Sequence, residues 1–133
     1  MSQFILTNEG SKWAAQALAG SYTAPDAMYM IVSTGSYNSS AFNANTTVDA
    51  IKSAGGVKTD NVSIYVASDT PNNAAISGVL ACTNDMTGKK VIGVAVCCGD
   101  KVLTISELGN PVSCISNTSI VVSVPVNIPA TTK

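Results

Sequence analysis

Residues 91–106 read VIGVAVCCGDKVLTIS, and this stretch decides the fold class. Its first part, residues 91–98, is a continuous apolar run, which predicts a central strand covered on both faces. Gly99-Asp100 has the glycine-first sequence of a two-residue hairpin turn and favours a β-hairpin. Residues 101–106 then return as the antiparallel partner. The sequence therefore predicts an antiparallel sheet around this hairpin.

Further strands lie on both sides of the hairpin. Residues 62–66 alternate apolar and polar side chains, which is typical of a half-buried strand. Pro125 lies near the end of the last strand and indicates an edge or terminating position. The predicted strands are 28–34, 62–66, 76–82, 91–98, 101–106, 112–115 and 119–126, with turns at 69–73, 84–90 and 108–111. We expect a mainly β fold, an antiparallel sandwich or a barrel-like sheet of six or seven strands.

One or two short helices are predicted near the N-terminus. Thr7 or Asn8 can cap the first helix, which is rich in alanine and ends at Gly20. Thr46 or Thr47 can cap a second, which stops at Gly55-Gly56, and residues 35–45 between the helices are expected to form a polar loop.

The length of 133 residues predicts a single domain over 1–133. Within it we expect an N-terminal segment with its short helix over 1–27 and a β-rich core over 28–128. The last residues, 129–133, are expected to form a loose tail.

Composition narrows the function classes. Only 11% of the residues are charged, the net charge is −1, and the sequence contains neither arginine nor histidine. Nucleic-acid binding and membrane binding are therefore not expected. Histidine is the commonest general base and metal ligand, so we expect no enzyme and no cofactor. No signal peptide or transmembrane run is recognised, which predicts a soluble protein made in a cytoplasm.

The thiols and carboxylates form no motif. Cys82, Cys97, Cys98 and Cys114 lack metal-site spacing and are expected to be buried free thiols, with a redox or disulfide role left open. The eight carboxylates show no paired spacing, although a pair assembled in space stays open.

The polar loop carries two aromatic side chains, Tyr37 and Phe42. They are the candidates for a ligand-facing loop that stacks on a sugar. The alternative is that these aromatics pack in the core or at a subunit interface.

The start of the chain resembles a known family. Residues 4–10 (FILTNEG), residues 13–20 (WAAQALAG) and an apolar strand ending in residues 33–35 (STG) are similar to the N-terminal region of bacteriophage tail-collar and tail-fibre proteins. In that family an I-L-T-(N/D)-x-G segment leads into an alanine-rich helix, and a strand ending in a glycine-rich turn follows. The chain lacks the shaft repeats and the receptor-binding tip of a fibre.

The resemblance implies a non-enzymatic virion structural or assembly protein, a tail, collar or fibre-adaptor component that forms homo-oligomers and contacts other virion proteins. The candidate interface residues are Phe4, Ile5, Leu6, Trp13 and Leu18. Phe4, Ile5 and Leu6 can cover a neighbouring subunit or their own sheet. Two alternatives are a capsid decoration protein and a carbohydrate- or surface-binding module.

Overall fold

The computed structural model describes residues 4–21, 24–66 and 73–127. It has eight strands in these residues, β1 Phe4–Leu6, β2 Ala27–Ser33, β3 Gly56–Lys58, β4 Asp60–Val66, β5 Asn73–Ala81, β6 Lys90–Cys98, β7 Lys101–Ser113 and β8 Ser119–Asn127. The helices are α1 Asn8–Leu18 and α2 Val48–Ser53, and two 3-10 turns cover Ser39–Ala41 and Asn84–Met86. The protein is mainly β, as the sequence predicts.

The strands form two antiparallel sheets. The larger sheet has the order β1-β7-β6-β2-β3, and the smaller sheet has the order β4-β5-β8. Within the described ranges neither sheet closes on itself, so the fold is sandwich-like and the barrel alternative is wrong. The predicted hairpin at Gly99-Asp100 is confirmed, since Cys98 pairs with Lys101 and Gly99 has a φ of 61°.

Strand β2 shows how the layers are arranged. Successive side chains of a strand point to opposite faces of the sheet. Met28, Met30 and Val32 enter a core cluster shared with β5, β6 and β8, which fills the space between the two sheets. Tyr29 and Ile31 enter a second cluster on the opposite face, which is covered by α2 and by the chain segment before it. The larger sheet is therefore buried on both faces at its centre, and the continuous apolar run of β6 is explained.

The caps of both helices are confirmed. The Thr7 hydroxyl accepts a hydrogen bond from the Gly10 main-chain N–H at 2.9 Å. The Thr47 hydroxyl accepts one from the Ala50 N–H at 3.3 Å and caps α2. Pro125 lies on β8, an edge strand of the smaller sheet, as expected.

The predicted turn at 108–111 is wrong, because β7 continues through it to Ser113. Gly93 pairs with Glu107 and Val91 pairs with Val112, so residues 108–111 lie opposite Ile92 alone. The extra residues form a bulge, where glycine and proline are tolerated because the ladder of hydrogen bonds is already interrupted. The predicted strands 101–106 and 112–115 therefore join as β7. The tail at 129–133 and residues 69–72 of the turn at 69–73 lie outside the described residues.

Candidate functional site

Strand β1 docks on its own chain. Ile5 pairs with Ile105 of β7, and its side chain packs against the second core cluster. Phe4 and Leu6 point to the other face and remain 57% and 48% exposed. The predicted interface segment thus covers its own sheet with one side chain and presents the other two to solvent.

Helix α1 continues from this strand and is fixed to β7. The buried Thr7 hydroxyl lies 2.9 Å from the Leu103 carbonyl oxygen, and the Thr7 main-chain N–H donates to the same oxygen at 3.0 Å. At the far end of α1, Leu18 is 92% exposed, and Trp13 is half-buried. We call Phe4, Leu6 and Leu18 the N-terminal apolar set.

The aromatic loop does not form a stacking platform, and this prediction is corrected. Phe42 is only 7% exposed and belongs to the second core cluster. Tyr37 packs against it, with 5.5 Å between the ring centroids. The loop is polar in composition, but it crosses one face of the larger sheet. Its few apolar side chains, such as Phe42, are therefore buried against that face. The alternative interpretation, core packing, is the one observed.

Tyr37 lines a small cavity of about 440 Å³ together with Lys90 and Glu107. Its hydroxyl is buried and has no hydrogen-bond partner among the described residues. Burial raises the pKa of Tyr37 above 10.0, and the negative charge of Glu107 raises it further. The phenol therefore stays protonated at neutral pH and is not an activated base.

A larger cavity of about 610 Å³ lies where the start of α1, the start of α2 and the β6–β7 hairpin meet. Tyr29, which is 7% exposed, is one of its lining residues. Most of its lining side chains are charged or carry an amide or hydroxyl group, namely Asn8, Glu9, Asn45, Thr46, Thr47, Asp49, Lys52, Asp100 and Lys101, and Ala44, Val48 and Val102 supply an apolar part. We call it the hairpin cavity.

The hairpin cavity brings together carboxylates that the sequence leaves far apart, Glu9, Asp49 and Asp100. Two lysines offset most of their charge. In the part of the chain that the structure describes, no group of three or more acidic, cysteine or histidine side chains is placed to hold a metal ion. The arrangement suits hydrogen bonding to a polar molecule. That the protein is not an enzyme stays a prediction.

Three of the four thiols, those of Cys97, Cys98 and Cys114, lie in environments that favour the protonated form. Cys82, Cys97 and Cys114 are buried and Cys98 is half-exposed. Burial, with a smaller contribution from Asp26, raises the pKa of Cys97 to about 12. Burial also raises the pKa of Cys98 and of Cys114. A thiol is a nucleophile or metal ligand only as the thiolate, so these groups are poorly suited to either role at neutral pH.

Sequence reasoning missed the hairpin cavity entirely. Its walls come from residues 8–9, 44–52 and 99–102, which no spacing rule connects. The only local signals are the two helix caps and the hairpin, each of which predicts a structural element and not a site. No described helix is long and apolar enough to span a membrane.

Comparison of the chain with protein-family models, with curated proteins and with solved structures yields no match.

Proposed function

We propose that the chain is a non-enzymatic structural component of a bacteriophage virion, a tail, collar or fibre-adaptor protein that assembles as a homo-oligomer. Two observations support this. Residues 4–35 resemble the N-terminal region of tail-collar and tail-fibre proteins. The observation that carries the proposal is the exposure of Phe4 and Leu6 on an edge strand.

The physical case rests on the N-terminal apolar set. Fully burying one Leu or Phe side chain is worth about 1.5–3 kcal/mol relative to leaving it in water. Phe4 and Leu6 share one face of β1, which lies at the free edge of the larger sheet. An exposed edge strand with apolar side chains favours association with another chain. A second copy is the occupant that we propose, since the family that the N-terminus resembles acts as homo-oligomers.

Native mass in solution, measured by light scattering coupled to size-exclusion chromatography, tests the proposal. We expect a trimer or a larger closed oligomer for the wild type and a monomer for the Phe4→Ser/Leu6→Ser double variant. Val121→Ser is the matched control, because Val121 is 65% exposed on the outer face of β8, and this variant should keep the wild-type mass.

A monomeric wild type separates the capsid decoration alternative from the tail alternative. A decoration protein oligomerises only on its particle, so it would co-sediment with purified particles while being monomeric when free. A monomer that is also absent from purified particles overturns the virion proposal altogether.

Binding of a polyhydroxylated surface ligand is the second candidate function. Because Phe42 is buried, the loop that carries Tyr37 and Phe42 is not the candidate site for such a ligand. The candidate site is the hairpin cavity, where Tyr29, Asp49 and Lys52 supply hydrogen-bond donors and acceptors. We expect signals on a glycan array for the wild type and their loss in the Asp49→Ala/Lys52→Ala double variant. Val121→Ser should retain them, and an array without signals for the wild type would exclude this function.

A further inference from the structure

Two buried cysteines come from different sheets and enter the same core. Cys82 directly follows β5 of the smaller sheet, and Cys114 directly follows β7 of the larger sheet. Both side chains belong to the cluster that fills the space between the sheets. Cys97 and Cys98 do not enter this cluster, since Cys97 belongs to the second core cluster on the opposite face of the larger sheet and Cys98 is half-exposed.

The backbone holds the two cysteine segments against each other. The Cys82 N–H donates to the Thr118 carbonyl at 2.8 Å, and the Cys82 carbonyl accepts from the Asn117 N–H at 3.2 Å. The turn that contains Asn117 and Thr118 begins directly after Cys114, so Cys114 lies within one turn of the residues that pair with Cys82.

A second set of bonds fixes the other side of this junction. The Cys114 N–H donates to the Lys89 carbonyl at 2.9 Å. The Ser116 hydroxyl donates to the Asn84 side-chain oxygen. The loop that follows Cys82 and the turn that follows Cys114 are therefore joined at several points. Burial raises the pKa of the Cys114 thiol, and the Cys82 side chain lies close enough to raise it further.

We propose that Cys82 and Cys114 form a disulfide that joins the two sheets when the protein meets an oxidising medium. Thiols stay reduced in a cytoplasm and are oxidised outside it. The reaction is two thiol–disulfide exchanges with a low-molecular-weight disulfide. In the first, one cysteine thiolate attacks the small disulfide, forms a mixed disulfide and releases one small thiolate.

In the second exchange the other cysteine attacks the mixed disulfide. The Cys82–Cys114 bond forms and the second small thiolate leaves, so the protein loses two electrons and two protons in total and the small disulfide is reduced to two thiols. Burial raises the pKa of Cys114, and only a thiolate attacks a disulfide, so the exchange is slow at neutral pH. Its rate therefore rises with pH.

The experiment treats the purified full-length protein with oxidised glutathione and follows the intact mass, the free thiols after denaturation and the cross-linked peptides. We expect the free thiols to fall from four to two, with a mass loss of two hydrogens and one peptide pair that contains Cys82 and Cys114. The product should run as a single chain on a non-reducing gel, since the bond is intramolecular.

The stability of the protein in urea tests the disulfide independently of peptide mapping. Closing a loop of about 30 residues lowers the equilibrium constant for unfolding on the order of 500-fold. The urea midpoint of the wild type should therefore rise on oxidation and fall again with a reductant. Cys82→Ala should show no such shift, whereas Cys97→Ala should behave as the wild type.

Four results overturn the proposal. These are four free thiols after prolonged incubation at alkaline pH, a cross-link between Cys97 and Cys98, a covalent dimer through Cys82 or Cys114, and glutathione that stays attached to Cys82 or Cys114. If Cys82→Ala fails to fold, Cys114→Ala and the redox-dependent midpoint of the wild type decide between the outcomes. None of these results depends on the oligomeric state, so the virion proposal and the disulfide can fail separately.

Discussion

Replacing Gly10 with alanine tests the packing of α1 on β7. A Cβ atom at position 10 would lie 2.2 Å from the Leu103 carbonyl oxygen and 2.8 Å from Leu6 Cδ1. The contact with a main-chain oxygen cannot be relieved by rotating a side chain, so the helix must move away from the strand. Overpacking of this kind costs about 1–3 kcal/mol.

The sign of the effect separates tertiary packing from helix propensity. Alanine is favoured over glycine in a helix interior by about 1 kcal/mol, so propensity alone predicts that Gly10→Ala stabilises the protein. Packing predicts the reverse, and at the upper end of the overpacking cost the net loss is about 2 kcal/mol. Urea unfolding followed by the fluorescence of Trp13, the single tryptophan, measures this loss.

Gly35→Ala is the matched control, because its Cβ would contact only the Ser33 hydroxyl at 3.7 Å. This variant should unfold within about 0.5 kcal/mol of the wild type. A Gly10→Ala protein more stable than the wild type would show that α1 does not approach β7 as described.

Three further predictions concern single side chains. Thr7→Val removes the α1 cap and the buried hydrogen bond to β7, and we expect a loss of about 2 kcal/mol in urea unfolding. Cys98, half-exposed, should react with a thiol reagent in the native state well before Cys97, and peptide mapping of the labelled protein checks this order. Tyr37 should titrate above 10.0 in a spectrophotometric titration. Because the folded pKa of this acid is raised, its contribution to stability is present below pH 10 and is lost as the pH rises through the folded value.

The features that the sequence predicts correctly are marked by short stretches of neighbouring residues. The apolar run of β6, the hairpin at Gly99-Asp100 and the caps at Thr7 and Thr47 each rest on interactions between near neighbours in sequence, and all four are observed. Local signals of this kind are independent of what packs against them.

Features decided by tertiary contact were not predictable. Strands β1 and β3 contain three residues each, too few to show a period. Residues 108–111 have turn composition, yet the pairing of Val112 with Val91 keeps the chain in the sheet. Phe42 lies in a polar loop and is buried because this loop packs over the second core cluster. The hairpin cavity depends on three distant segments and leaves no trace in sequence.

The geometry of β1 explains why its docking in cis does not remove the case for an oligomer. All three residues of the strand are apolar, but their side chains alternate between the two faces of the larger sheet, so only one face of the strand contacts the second core cluster. Ile5 occupies that face opposite Ile105, so Phe4 and Leu6 must point the other way. A shift of the β1–β7 register by one residue would bury Phe4 and Leu6 and expose Ile5, so an apolar side chain stays exposed in either register. A short apolar edge strand therefore leaves an exposed pair in the single chain, and a second copy over this face would bury both side chains while Thr7 keeps the strand on its own β7.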